Sequence, residues 1–581
     1  MPEKDKRLIQ LRRNLHKLSK SLEDAKYDRS HATAPFKGLD KVEHYLTKIT
    51  EVMSDNTVIT QDFSPELIVE FLDCWDAILE HVIRMPQHKL IPNLYILMCQ
   101  IVEIKQLQPM SLADFPAPDE VSPQIEKLLV FYYNNLSKTA LYCLLALSSA
   151  EEVETAEKRE KKSTSLAASP AKKRTFEFQT KVRPFAEDFY EEAARVFVLV
   201  SIKITSLYEK VLQTVRFVTA GKVLDKEEKE EILSEEMKEN FPVFKKWESY
   251  EKFITGKNKQ CLKYFTALSE FESSWLVHFE YRGRFEMQYM RCWIEHVTLF
   301  AKDDIKEFPG YKIFHNEILA LTEFPSDMFS PSFVCAEAFG AFSLVDENVY
   351  TTVIEKKSKK TNFYDVDGMG DLLLVEHFMY TYFCNTNFEV PKFNSDLFVK
   401  IHTKILESDS YALTCLTLST LYQALLCVSF EDRKALVNYV LSKNFFNKMF
   451  CHWNHYVRMF FCELLLYRST MSPSWNRVKT NTLLPPEKKT YDAAKLSGSD
   501  MLKFDQNTLD CIKQNISNLK AAQKNPNLVA DKKVIKYVQH GIKDYDAEMK
   551  DYTAWEKNNP LAPLYNMLEM TRLNRLDQNV M

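Results

Sequence analysis

The stretch Asp365-Val366-Asp367-Gly368-Met369-Gly370-Asp371, followed by Glu376, places acidic residues or glycine at the first, third, sixth and twelfth positions of an EF-hand calcium loop. Its fifth position is Met369, which has no side-chain oxygen, and no second hand accompanies it. A capped turn before a helix over 371–383 is therefore expected in place of a calcium site. Cys451, His452, His455 and Cys462 form a second cluster, with the two histidines three apart on one helical face. Zinc usually needs four convergent ligands set by CxxC or HExxH spacing, and neither pattern occurs. Packing within a helical core is expected instead.

Acid–histidine neighbours are equally unspecific. Glu80-His81, Glu295-His296 and Glu376-His377 are adjacent in the chain, so on a helix each pair points about 100° apart. No GxSxG, GxGxxG or Walker loop is present. Neither catalytic residues, a cofactor nor a metal is expected, and the chain reads as a non-enzyme.

Arg458 and Arg468 stand out because they lie in one of the most apolar stretches, from Trp453 to Arg468. A buried guanidinium needs a carboxylate or several carbonyls, since an unpaired buried charge costs several kcal/mol. Trp453, Tyr456, Phe460 and Leu464 recur at three and four residues, the spacing of one helical ridge. With Arg458, Tyr467 and Arg468 they are expected to form the structural core of this block. Glu463 is five residues from Arg458, about 140° round the helix, so the arginine's partner is expected on another helix. Ahead of this block, Ser410 to Phe430 carries no charged residue. Such a helix is either central in a core or membrane-spanning, and its Thr414, Thr417, Ser419, Thr420 and Gln423 suit helix contact better than lipid.

The elements that must hold these residues are helices. Only 10 glycines occur in 581 residues, where about 7% is usual. Phosphate-cradling loops, tight hairpins and nucleophile elbows need the positive φ that glycine adopts cheaply, so Rossmann, kinase, hydrolase and barrel folds are disfavoured. A net charge of −4 gives no global case for nucleic acid. The 12 cysteines are scattered singly in apolar surroundings, as small buried residues of a reducing compartment. The charged start MPEKDKRLIQ lacks the apolar core of a signal peptide, and a cytoplasmic protein is expected.

Leu8, Leu11, Leu15, Leu18 and Leu22 make a seam on a helix over 4–26 whose other faces are basic. Docking of that seam on neighbouring helices is expected, with a membrane surface as the alternative partner of the basic side. Helices follow near 38–54, 65–84, 91–106 and 123–148, two of them opened by Ser64-Pro65 and Ser122-Pro123. Residues 149–180 are charged and nearly free of large apolar side chains, so a disordered linker is expected. It carries Ser169 before Pro170, a site for a proline-directed kinase, and basic pairs over 158–174 that resemble a bipartite nuclear-import signal. Helices are expected again near 184–218, 225–238, 242–255 and 258–301. Tyr350 to Ile354 gives a brief β-branched hint, and Glu355 to Thr361 reads as a charged loop. Beyond a polar loop after Arg468, helices near 505–523, 529–556 and 561–575 close the chain. This succession predicts an all-α fold, an irregular armadillo- or HEAT-like helical array with a disordered internal linker. Four regions are expected: 1–148, the linker 149–180, a central domain 181–475, and 476–581.

The block His452-Trp453-Asn454-His455-Tyr456-Val457-Arg458, with Phe460-Phe461 and Leu464-Leu465-Leu466-Tyr467-Arg468, resembles an uncharacterised eukaryotic helical family, domain of unknown function 1765, known from fungi, slime moulds and amoebae. The resemblance covers about 270–475, including the segment from Trp275 to Trp293. It implies no activity, cofactor or site residue. Some members of that family are labelled membrane proteins, so the resemblance keeps a membrane role for 410–430 in view. The expected function is a non-catalytic scaffold or adaptor that binds other proteins, peripheral to membranes where helix 4–26 meets them. The alternatives are a membrane-embedded trafficking component using 410–430, or an enzyme without a recognisable motif.

Overall fold

The computed structural model describes residues 3–27, 36–53, 63–85, 88–107, 117–159, 189–215, 218–219, 222–223, 242–269, 284–322, 332–386, 388–469, 498–524 and 532–558. They are helical almost throughout, with two antiparallel ladders of two residues each, Lys26–Tyr27 on Phe36–Lys37 and Val218–Thr219 on Lys222–Val223. The chain divides into two compact units, 1–317 and 318–581.

In the first unit, α1 (Glu3–Asp24) packs on α2 (Leu39–Met53) and α3 (Pro65–Arg84). Leu11, Leu15, Leu18 and Leu22 have no exposed surface. Each contributes about 1.5–3 kcal/mol on burial. Ser64 caps α3 by accepting the Leu67 amide at 3.3 Å, with Pro65 at the first helical position. Next are α4 (Ile91–Val102) and α5 (Pro123–Arg159). Helix α5 runs on well past residue 148, so 149–159 of the expected linker are helical. Their Ala, Glu, Lys and Arg residues are strong helix formers, and no proline or glycine stops them. The rest of the linker, with Ser169 and most of the import-like signal, lies outside the described residues.

The expected helix over 184–218 is two, α6 (Tyr190–Ile202) and α7 (Thr205–Thr214). The break is held by α8 (Pro242–Lys257), whose Glu251 accepts the Thr205 amide at 3.1 Å. The helix expected over 258–301 is also divided, into α9 (Lys259–Ser269) and α10 (Arg284–Ala301). Trp275 and the helices expected at 225–238 and 561–575 lie outside the described residues. The unit boundary falls within α11 (Tyr311–Leu321).

The second unit contains α12 (Ser332–Ser343), α13 (Glu347–Lys360), α14 (Val366–Thr386), α15 (Ser395–Leu406), α16 (Tyr411–Cys427), α17 (Phe430–Leu441), α18 (Lys443–Phe450), α19 (His455–Glu463), α20 (Gly498–Lys524) and α21 (Lys532–Asn558). Helix α19 ends in a π-helical turn, Leu464–Ser469. Both the β-branched hint at 350–354 and the loop expected at 355–361 are overturned, because α13 covers them. Its buried Val349, Tyr350, Val353, Ile354 and Lys357 recur with the helical period, which outweighs the local preference of Val and Ile for strands. Asp346 caps it through the Asn348 amide at 3.1 Å.

Helices α12, α14, α16, α19 and α21 stack side by side, and they all run in the same direction. Phe333 meets Phe378 at 5.8 Å between ring centres. Thr420 Oγ1 donates to the Leu373 carbonyl at 3.5 Å and Cys427 Sγ to that of Tyr380 at 3.8 Å. Tyr411 meets Trp453 at 6.1 Å, and the Arg468 Nε donates to the Tyr422 carbonyl at 3.3 Å. Along each pair the partners' numbers rise together, Gly340 lying against Tyr382 beyond Phe333 on Phe378, and Tyr467 against Tyr552 beyond Arg458 on Asp544. Helices α13, α15 and α17 supply the returns, and α20 and α21 pack on this unit. Helix α16 is 17 residues long, with most of its side chains buried, and among the described residues no helix is long and apolar enough to cross a membrane. The alternative that places 410–430 across a bilayer is thereby overturned.

Helix α21 approaches α18 through Gly541, where an added Cβ would overlap the Phe450 carbonyl oxygen. Gly541→Ala is expected to loosen α21 although alanine is the better helix former by about 1 kcal/mol. Hydrogen exchange should rise along 532–558 while α14 and α16 stay protected. Unchanged exchange in α21 would contradict this packing.

Candidate functional site

The ionisable side chains most able to do acid–base chemistry in 350–469 are enclosed. Glu376 of α14 and His402 of α15 are both fully buried, with Oε2 and Nε2 2.7 Å apart and the Phe398 ring 3.7 Å from that of His402. Beside them the Tyr350 and Tyr380 hydroxyls share a hydrogen bond of 2.7 Å. His377, one residue on, faces α16 and meets the Ser419 hydroxyl at 3.5 Å. Burial pushes His377 down to about 4, so it is neutral at physiological pH. Two neighbours in sequence thus serve different helices, as the 100° step requires. Glu80 and His81 likewise part, to Lys138 and His88, and Glu295 and His296 part to arginines and to Glu103.

The calcium-like stretch does not gather its oxygens. Helix α14 begins at Val366, Asp365 Oδ1 accepts the Asp367 amide at 3.2 Å, and the twelfth-position Glu376 points inward to His402. Cys451, His452, His455 and Cys462 also go separate ways. Burial pushes the Cys451 thiol up to about 12, and that of Cys462 well above its ordinary value. His452 accepts the Asn454 amide at 3.1 Å, whereas His455 lies 3.2 Å from Asp544. Among the described residues no group of three or more His, Cys, Asp and Glu could hold a metal ion.

Arg458 is buried, and its carboxylate comes from α21. Its Nε donates to Asp544 Oδ2 at 2.6 Å, and one terminal nitrogen donates to the carbonyls of His452 at 2.7 Å and Trp453 at 3.0 Å. Glu431 and Asp432, the nearest acids before it in the chain, are engaged by Lys434 and Ser429 instead. Arg468 is buried with its guanidinium 3.7 Å from the centre of the Tyr422 ring. Arg433, which the sequence reading missed, is buried too and donates to the carbonyls of Leu425 at 2.9 Å and Arg468 at 2.5 Å. Only its place in an amphipathic helix hinted at this.

Phe460, Leu464 and Tyr467 are buried, but two expected core residues are not. Trp453 is 56% exposed and Tyr456 is 43% exposed. The expected ridge assumed a helix already running at Trp453. Asn454 caps α19 by accepting the Tyr456 amide at 2.8 Å, so the helix starts at His455 and Trp453 sits in the turn before it. Trp453 packs one edge on Tyr411 and lies near the His452 ring, leaving much of its surface to solvent. Large apolar side chains left exposed on a built turn are the feature of this block available to a partner.

Trp453→Ala is accordingly expected to cost under about 1 kcal/mol, in the range of surface changes and not of core truncations. Arg458→Met would strand Asp544 and should cost about 3 kcal/mol or more. Thermal melting of both variants checks the contrast, and a double-mutant cycle with Asp544→Asn isolates the pair. A second expectation concerns Glu548 of α21, buried beside Asp544 and Asp551, whose carboxyl is pushed up to about 7, first by burial and then by those charges. The native state then holds a proton that the unfolded chain releases above pH 4.5. This contribution to stability falls as pH rises from about 4.5 to about 7 and is level beyond it. Melting curves across that window should show a smaller pH dependence in Glu548→Gln than in the wild type, and equal slopes would refute the assignment.

No curated protein and no solved structure matches the chain. The family match covers less than the resemblance over 270–475 implied, beginning inside α13 and ending with the π turn after α19. Residues 350–469, which hold the buried Glu376–His402 pair, the three arginines and the exposed Trp453, match the family described as a protein of unknown function, DUF1765.

Proposed function

We propose that the protein is a non-catalytic helical scaffold or adaptor, and that the turn bearing Trp453 is a contact for other proteins. The observation that carries this reading is the contrast within 350–469: the acid–base groups are enclosed, whereas Trp453, on a turn fixed by Arg458, and Tyr456, in the first turn of α19, are held outward. Trp and Tyr dominate binding energy where proteins meet, because each offers a large rigid surface with little entropy to lose. A stack of parallel helices with return helices between them is the arrangement expected of an armadillo- or HEAT-like array, which presents long surfaces to partners. Eleven buried free cysteines and one exposed, Cys511, support a reducing cytoplasmic setting.

The test is affinity capture with the full chain, wild type against Trp453→Ala, with quantitative recovery of co-purifying proteins. A stoichiometric partner recovered by the wild type and depleted at least tenfold by the variant, at unchanged melting temperature, is the expected result. Ten-fold is about 1.4 kcal/mol, well within what one interface tryptophan supplies. Absence of any stoichiometric partner, or turnover of a small molecule by the purified chain, would defeat the proposal.

A further inference from the structure

In the first unit, α1 presents two opposite lines of side chains. Leu11, Leu15, Leu18 and Leu22 are fully buried against α2 and α3. Lys6, Arg13, Lys17 and Lys20 are exposed. At about 100° per residue those four cations fall within roughly 60° of one another, on the side away from the leucines. They extend along roughly 21 Å of helix. Ile9 lies beside the same line and is 41% exposed, one of the large apolar side chains left in solvent.

The charges around this line leave it positive. Arg12 and His16 lie off it and are engaged by Glu70 of α3, at 3.6 and 3.5 Å. On α2, Glu43 is taken by Lys89 at 2.8 Å, and the Lys17 ammonium lies 5.6 Å from the Tyr45 ring. Among the described side chains of α1 the exposed acids are Glu23 and Asp24, at its far end. Because the leucine seam is already occupied, the helix cannot turn its apolar face into a bilayer in the usual amphipathic manner. What it offers is a straight, convex row of ammonium and guanidinium groups with one apolar side chain among them.

We infer that the outer line of α1 docks the protein on an anionic lipid surface, with Lys6, Arg13, Lys17 and Lys20 over the headgroups and Ile9 entering the interface. A fluid anionic surface suits this line better than a nucleic-acid duplex. Headgroups rearrange beneath a straight row of cations, and Ile9 finds an apolar medium that phosphates do not provide. Attraction of this kind acts within a Debye length, about 8 Å at physiological ionic strength, so docking is reversible and sensitive to salt.

The experiment is co-sedimentation of the full chain with vesicles of phosphatidylcholine, with and without phosphatidylserine, at low and high salt. The wild type is expected to pellet with the phosphatidylserine vesicles only, and less at high salt. Each cation removed should weaken binding roughly five-fold, about 1 kcal/mol. The variant carrying Lys6→Gln, Arg13→Gln, Lys17→Gln and Lys20→Gln should therefore lose two to three orders of magnitude. Since all four side chains are exposed, its melting temperature should hold; Lys6→Glu with Lys20→Glu serves if it does not. Ile9→Asn should give a smaller loss. Equal binding to neutral vesicles, undiminished binding by the neutralised variants, or tighter binding to an RNA or DNA duplex than to the vesicles would each overturn the inference.

Discussion

A helix with no charge between Ser410 and Phe430 must be covered on all sides, and the second unit is built to cover it. Helices α14 and α19 pack along α16, and α15 and α17 touch it as well. The hydroxyls of such a helix also have to be satisfied away from water. Thr414 and Thr420 donate to carbonyls one turn back, at 2.8 and 2.9 Å, so their burial costs little, whereas the Thr417 hydroxyl is buried without a hydrogen-bond partner. Thr420 and Ser419 additionally reach α14, which fixes how the two helices meet along their length. Helices α12, α19 and α21 share their direction.

A chain this poor in glycine must end its helices without the usual left-handed glycine, and it does so with extended caps and buried arginines. Thr361 and Val428 stop α13 and α16 in extended conformations, while Lys392 and Asp409 are the described non-glycine residues that take positive φ. Carbonyls left open at helix ends need donors and sit at the negative end of the helix dipole. Arg433 supplies donors to Leu425 near the end of α16 and to Arg468 in the π turn, and Arg468 reaches Tyr422. Arg458 does the same for the turn between α18 and α19, so its guanidinium holds the loop from below and leaves Trp453 on top. Burial of these cations and exposure of that tryptophan are two consequences of one arrangement.

What could be read from the sequence was what depends on near neighbours. The Ser64-Pro65 start, the leucine seam of α1 and the helical character of nearly every described segment follow from capping, period and composition. Long-range pairing was not legible: nothing near Arg458 points to Asp544, 86 residues on, and Glu376 gives no sign that it meets His402. Trp453 and Tyr456 were misplaced for a different reason. Their spacing with Phe460 and Leu464 is helical, but a one-turn shift of the helix start to His455 takes the tryptophan off the ridge. The β-branched residues of α13 show the reverse case, where a local preference yields to the burial of one helical face.

A stack of parallel helices leaves an uncovered flank on its last member, and α21 is what lies there. Its contact with α19 differs in kind from those inside the stack. Within it the meeting groups are rings, hydroxyls, thiols and the Arg468 guanidinium on the Tyr422 ring, but across the last one lie the ion pair of Asp544 with Arg458, the buried Glu548, and the ring contact of Tyr552 on Tyr467 at 5.2 Å. Terminal elements of stacked arrays bury only one face, and here that buried face is itself partly polar. The ion pair compensates its own desolvation poorly unless its geometry is good, and here the arginine is also bound to two carbonyls. That extra binding ties the position of α21 to the turn at 452–454. The exposed tryptophan therefore sits where the family-matching residues and the helix that follows them are joined, and movement of either one is felt there.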